Sequence, residues 1–273
     1  MKKIFLFTAV LFAASSPLQA QQKQTLKKVI ELQMPRTIDD DMPGTRGASV
    51  VWHPLQKKYY AVFAGNQDYP LAVFDVTNKL MSNEELTAKH DSRGLWYNPA
   101  KKEINGNTYA DNGWFKYILN YEGIPDSSVV YVEGAHQPNE QSVAAYHPIR
   151  KEIMFLNGST VSLYSEKGIE SDSLVDIKWG RTKQTDKADV LTTETPDDYN
   201  NTSLIYTGIK AAELGFLNVD SKQIELYNFK TGYLTKELKL PADAPAEHTF
   251  NFAFANGIYW LFNMETRVWI GYK

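Results

Sequence analysis

Four carboxylates sit in short polar stretches that recur along the chain: Asp91 in KHDSRG (89–94), Glu140 in GAHQPNEQ (134–141), Asp198 in PDDYNN (196–201) and Glu247 in PAEH (245–248). Two carboxyl groups facing each other across a cleft are what glycoside hydrolysis needs, one to protonate the leaving oxygen and one to act on the sugar. These four are the candidate catalytic residues. The same stretches, together with DDDMPGTRG (39–47), carry Arg46, Arg93, Gln141 and three of the five histidines, His90, His136 and His248. Polar side chains converging on a concave mouth also make a binding site with no reaction attached. In that reading Arg46, His90, Arg93, Gln141 and His248 supply hydrogen bonds. Tyr69 in GNQDYP (65–70) and Trp114 in ADNGW (110–114) supply flat faces on which a sugar or peptide can stack.

Simpler chemistry competes at each position. Asp, Asn, His and Gly abound in loops because they form turns and stay hydrated. The run Asp39-Asp40-Asp41 reads first as a solvated stretch, and calcium is a minority reading, because that ion wants six to eight oxygens from a loop that wraps it. No spaced Asp-x-Asp-x-Asp-Gly loop occurs, nor His-Glu-x-x-His, a glycine-rich phosphate loop or Gly-x-Ser-x-Gly. Zinc held by His90, His136 and His248 would need three distant segments brought to one axis, and their spacing carries no local ligand signature. No cofactor is therefore assigned, with calcium and zinc left open.

What must position these loops is a repeat. Aligned on one corner, the chain reads VVWHP (50–54), LWYNP (95–99), AAYHP (144–148), LIYTG (204–208) and FAFAN (252–256), with successive corners 45, 49, 60 and 48 residues apart. Each has an aromatic at its centre: Trp52, Tyr97, Tyr146, Tyr206 and Phe254. After each corner comes a second strand, as in YYAVFAG, EIMFLNG and IYWLFN, and usually a third, as in LAVFD, FKYILN and RVWIGY. Short runs of Val, Ile, Tyr and Phe separated by Asn, Asp and Gly are strands joined by tight turns. A period of about 40 to 50 residues is that of a propeller blade. The expectation is an all-β chain: a five-bladed β-propeller of four-stranded antiparallel sheets, with six blades left open by the long stretch 180–201.

The fourth strand predicts how the ring closes. KELKLP (236–241) precedes the fifth corner, and a similar string, VIELQMP (29–35), precedes the first, while RVWIGY at 267–272 lacks a fourth strand after it. Strand 29–35 should therefore complete the last blade and remove the open edges that a linear stack would expose. The central aromatics should lie in the innermost strands and pack against the next blade.

Residues 1–20 read as a secretory signal peptide: a Lys-Lys start, an apolar stretch at 4–14 too short to span a bilayer, and a small-residue end at Ala20. The remainder, 21–273, reads as one domain exported to the periplasm or the cell exterior. The whole chain has no cysteine and a formal net charge of -3, so neither disulfides nor an overall basic excess suited to nucleic acid is present. No membrane insertion is expected, and the sequence gives no oligomeric state.

LWYNPAKKEI, AAYHPIRKEI and LYNFKTGYLTKELKLP resemble the repeats of β-propeller proteins of the YVTN and NHL kind. The resemblance implies that the loops entering each innermost strand, and those between second and third strands, share one face around the channel. It implies no reaction. Two functions follow as expectations. One is a binding module for a glycan, peptide or protein partner on that face. The other is a hydrolase at the channel mouth, carboxylate-based or metal-assisted, in keeping with the glycosidases that five-bladed propellers host.

Overall fold

The computed structural model describes residues 24–36, 45–183 and 192–273. The predicted signal peptide, Asp39–Asp41 and part of the stretch 180–201 lie outside the described residues.

Two strands precede the first blade, β1 (Gln24–Thr25) and β2 (Lys28–Gln33). The first blade is β3 (Arg46–His53), β4 (Lys58–Ala64) and β5 (Leu71–Asp75). The second is β6 (Ser92–Asn98), β7 (Glu103–Thr108), β8 (Trp114–Leu119) and β9 (Pro125–Val132). The third is β10 (Ala145–His147), β11 (Glu152–Asn157), β12 (Thr160–Ser165) and β13 (Glu170–Asp176). The fourth is β14 (Ile205–Tyr206), β15 (Leu214–Asn218), β16 (Gln223–Tyr227) and β17 (Leu234–Lys239). The fifth opens with β18 (Phe252–Ala255), β19 (Ile258–Asn263) and β20 (Val268–Tyr272). Five antiparallel sheets result, arranged as a five-bladed β-propeller, each with its first strand innermost.

The ring closes as the repeat predicts. Strand β2 completes the fifth blade antiparallel to β20, with Glu31 opposite Ile270, Leu32 opposite Trp269 and Gln33 opposite Val268. Two sheets depart from four strands. Beyond β5 the first blade has only isolated bridges, Phe74 to Leu80 and Pro70 to Thr87, because 76–87 is polar and turn-rich and offers no alternating apolar run. The fourth blade gains a strand, β1, which runs parallel to β17.

The core lies between blades. Strand side chains alternate between faces, so both faces of a middle strand are covered. Tyr60 and Val62 of β4 meet Leu95, Ile104 and Phe115 of the second blade. Ala61 and Phe63 of the same strand meet Trp260, Phe262 and Trp269 of the fifth.

The repeated aromatics correct one expectation: they pack against the preceding blade, not the next one. Tyr97 lies 4.7 Å from the His53 ring of the first blade, and Tyr206 lies 4.5 Å from His147 of the third. Trp52, Tyr97, Tyr206 and Phe254 are only half-buried. Together with Tyr146 they edge an axial cavity of about 250 Å³ lined by all five innermost strands.

The polar residue at each corner does more than stop a strand. The Gln56 and Arg150 amides donate to Nδ1 of His53 and His147, and the Lys101 amide donates to Oδ1 of Asn98. The other end of the side chain reaches the next blade: His53 Nε2 lies 3.2 Å from the Lys102 carbonyl, and Asn98 Nδ2 donates to Glu166 at 2.7 Å.

Candidate functional site

The segments that enter the innermost strands are tied to one another around the ring. Asn107 donates to the Ser142 carbonyl at 2.8 Å and accepts from the Ala144 amide. The Val143 amide donates to Thr202 O, and Asn200 Nδ2 donates to both Glu247 O and Phe250 O at 2.8 Å. Asn251 accepts from the Gly47 amide at 2.7 Å, and its own amide returns a bond to Gly47 O. Asn107, Asn200 and Asn251 are buried, so each must place its amide groups on partners, and most of these are backbone groups of neighbouring blades, with the Gln137 side chain added at Asn107. The result is a rim that holds side chains in fixed positions. Gly94 is part of this contact: a Cβ there would stand 2.5 Å from Ala144 N.

Arg93 is the centre of the rim's polar cluster. Its side chain enters from β6, and the residue is only 4% exposed. Nη1 and Nη2 donate to the two carboxylate oxygens of Asp91, and Nε donates to Gln141 Oε1 at 2.9 Å. The guanidinium also lies 4.7 Å from the Tyr109 ring centroid and 5.6 Å from that of Phe250. A buried cation so enclosed has its charge matched and its planar fork held from three sides, which fixes its orientation. Asp91 also accepts from the Gly65 amide at 2.8 Å, linking the first blade's second turn to the cluster. Tyr109 Oη donates to Glu140 at 2.7 Å. That hydrogen bond and the negative charge beside it raise the Tyr109 pKa above the ordinary phenol value. Gln137 braces the loop from behind, donating to the Thr108, Asn139 and Glu140 carbonyls.

Of the residues expected at a site, Asp91, Arg93, Glu140 and Gln141 are brought into one cluster. Arg46 is exposed at the start of β3, opposite Ala64. His248 is exposed, and its carbonyl accepts from Asn201 N. Glu247 is half-buried, its carbonyl held by Asn200. Asp198 accepts from Asn218 Nδ2 at 2.8 Å in the fourth blade. Tyr69 is half-buried with its ring edge toward Phe63 at 6.3 Å.

One expected ligand contact is corrected. Trp114 is fully buried between the second and third blades against Trp96, Phe155 and Tyr164, so it offers no face for stacking. It begins β8 at an inward register position, which a turn-based reading of ADNGW misplaces. His90 stacks on Phe115 at 4.1 Å, and its Nε2 meets Ser128 of the outer strand β9, so it lies alongside the blade. Burial lowers its pKa below the ordinary imidazole value. His136 has ring nitrogens within 2.8 Å of the Gly168 and Glu133 carbonyls. The three histidines are thus held apart, and no group of three His, Cys, Asp or Glu side chains that could hold a metal stands among the described residues.

Tyr109, Phe250 and the three rim asparagines were not singled out by the sequence. Tyr109 directly follows β7, whose sequence EINGNT is polar where the other second strands are apolar, and that departure was the available signal. A further buried acid lies away from the rim: Glu225 of β16 accepts from Tyr199 at 2.7 Å and from Tyr227 at 2.5 Å. Burial raises its pKa above the ordinary carboxyl range.

No protein-family profile matches the chain, those of the YVTN and NHL repeats included, and no curated protein matches it. Among solved structures, the glutaminyl cyclase of Myxococcus xanthus is similar, with a TM-score of 0.56 and 9% identity over 93% of this chain and 98% of that one. At that identity the likeness shows the propeller fold and nothing of the chemistry.

Proposed function

We propose that this chain is an exported, noncatalytic binding module that takes a glycan, peptide or protein partner on the rim beside Arg93. The observation that carries the reading is the anchoring of Arg93 by four hydrogen bonds, to Asp91, Gln141 and the Ser92 carbonyl, and by two aromatic rings. So fixed a cation is a scaffold: it holds the Asp91 and Gln141 oxygens, the Tyr109 ring and the Glu140 carboxylate where a ligand's hydroxyls or amides can meet them. A hydrolase needs a general acid kept protonated near neutral pH. Glu225, a carboxyl that burial raises, lies away from the rim, inside the fourth blade under Tyr199 and Tyr227. The alternative of a hydrolase at the channel mouth gains nothing from likeness to a glutaminyl cyclase, since fold alone transfers no reaction.

The test is a glycan and peptide array probed with the chain from residue 21 onward, with mass spectrometry on every ligand retained. Retention of one ligand class without chemical change supports the proposal. A hydrolysed ligand would replace it with the hydrolase.

A further inference from the structure

In an up-and-down blade the turns between first and second strands and between third and fourth strands leave on the same side, opposite the rim. Contacts between blades join these turns into one surface. Tyr60 Oη, just beyond the first corner, donates to Gly123 O in the second blade's outer turn at 2.6 Å. Asn98 of the second corner bonds Glu166 in the third blade's outer turn, and Arg150 of the third corner stands 5.4 Å from the Phe229 ring in the fourth.

This face is unlike the rest of the molecule in two respects. Leu55, Ile149 and Ile209 each follow a corner directly, and Val76, Tyr121 and Ile169 occupy outer turns; together they are half of the exposed large apolar side chains among the described residues. Tyr121 is 92% exposed, Ile149 84% and Ile169 66%, so their side chains project from the turns without packing. Around them stand exposed cations: Lys57, Lys101, Lys102, Lys151, Lys167 and Lys210. The carboxylates of these turns are Asp75, occupied by the Thr77 and Lys79 amides of its own turn, Glu166, by Tyr146, Asn98 and Lys101, Glu213, by the Ala211 and Phe229 amides, and the exposed Glu122. Across the molecule the turns of the rim face carry Asp68, Asp111, Glu133, Glu140, Asp197 and Glu265. On the corner face exposed lysines thus outnumber exposed carboxylates in the turns, and they stand where the unpacked apolar side chains are.

We propose that this corner face docks on an anionic lipid surface, with the chain lying on the membrane and no segment crossing it. Cations near such a surface are attracted within a Debye length, and each is worth about fivefold in partitioning. Single Leu, Ile and Tyr side chains on rigid turn tips can enter the headgroup region, which a soluble polyanion cannot offer them. The rim would then face away from the membrane with its ligand cluster free. This inference does not depend on what the rim binds.

The experiment is co-sedimentation of the chain from residue 21 onward with vesicles of phosphatidylglycerol and phosphatidylcholine in equal parts, and with pure phosphatidylcholine vesicles. We compare it with the triple variant Leu55→Ser, Ile149→Ser, Ile209→Ser and with Lys102→Glu, Lys167→Glu, Lys210→Glu. All six sites are exposed, and circular dichroism checks that each variant is folded. The expected result is binding to the mixed vesicles alone, weakened at least about tenfold by either variant and reduced by salt. No binding to mixed vesicles overturns the proposal. So does binding that the serine variant retains in full while immobilised heparin competes for it, since that is recognition of a polyanion.

Discussion

Leu32 of β2 stands opposite Trp269 of β20, and both are fully buried. One belongs to the first long strand described and the other to the last, so their contact fastens the ring. Leu32→Ala is expected to cost about 2 to 5 kcal/mol, as other buried leucines do. Urea unfolding checks it. A loss below about 1 kcal/mol would mean that the fifth blade tolerates a loose fourth strand.

The corner histidines give a dependence on mild acid. Burial lowers the pKa of His53, and of His147, below 6.5. A depressed imidazole stabilises the fold fully above its unfolded pKa, and that contribution is lost as pH falls through the folded value. Protonating Nδ1 also removes the acceptor of the Gln56 and Arg150 amides. Thermal melts from pH 7.5 to 5 should therefore show falling stability. His53→Asn should flatten part of that fall, because Asn98 already fills the same role in the second corner, whereas His53→Ala, which flattens it too, should lose about 0.5 to 1.5 kcal/mol at pH 7.5 and less toward pH 5.

Glu225 gives the opposite sign. Its pKa is raised by burial, so its stabilising contribution is greatest below the ordinary carboxyl range and is lost as pH rises through the folded value. Glu225→Gln keeps an acceptor for Tyr199 and Tyr227 without a charge to bury. The variant should gain on the native protein in urea midpoint as pH rises from 4 to 7.

The rim should be as intolerant of added volume as the core. Gly94→Ala would place a Cβ 2.5 Å from Ala144 N and 2.9 Å from Ala144 O, and a backbone held by Asn107 has little room to yield. The substitution should destabilise the fold by about 1 to 3 kcal/mol and weaken ligand binding through Arg93 next to it. Urea unfolding together with array binding measures both.

The sequence made the propeller legible because its determinants are local and repeated. A corner such as Tyr146-His147-Pro148 ends a strand through its own chemistry, and Val29–Pro35 resembles Lys236–Pro241 closely enough to announce ring closure. Departures came where pattern was missing: 76–87 has no alternation, so the first blade ends in bridges. Half of the Arg93 cluster was visible, since Asp91, Glu140 and Gln141 sit in predicted loops. Tyr109 and Phe250 were not, because their rings meet Arg93 only once three blades are assembled. Trp114 was misread for a related reason: a one-residue difference in where β8 begins decides whether its indole faces solvent or the third blade.

The account rests on the rim acting as a binding surface, and calorimetry on the best array ligand tests it most directly. Affinity is measured for the native chain, Tyr109→Phe, Glu140→Gln and Glu247→Gln. We expect about threefold to tenfold weaker binding for the first two variants, unchanged binding for the third, and the ligand recovered intact. Equal affinity for all four proteins, or a ligand that returns cleaved by the native chain but whole from Glu140→Gln, would contradict it.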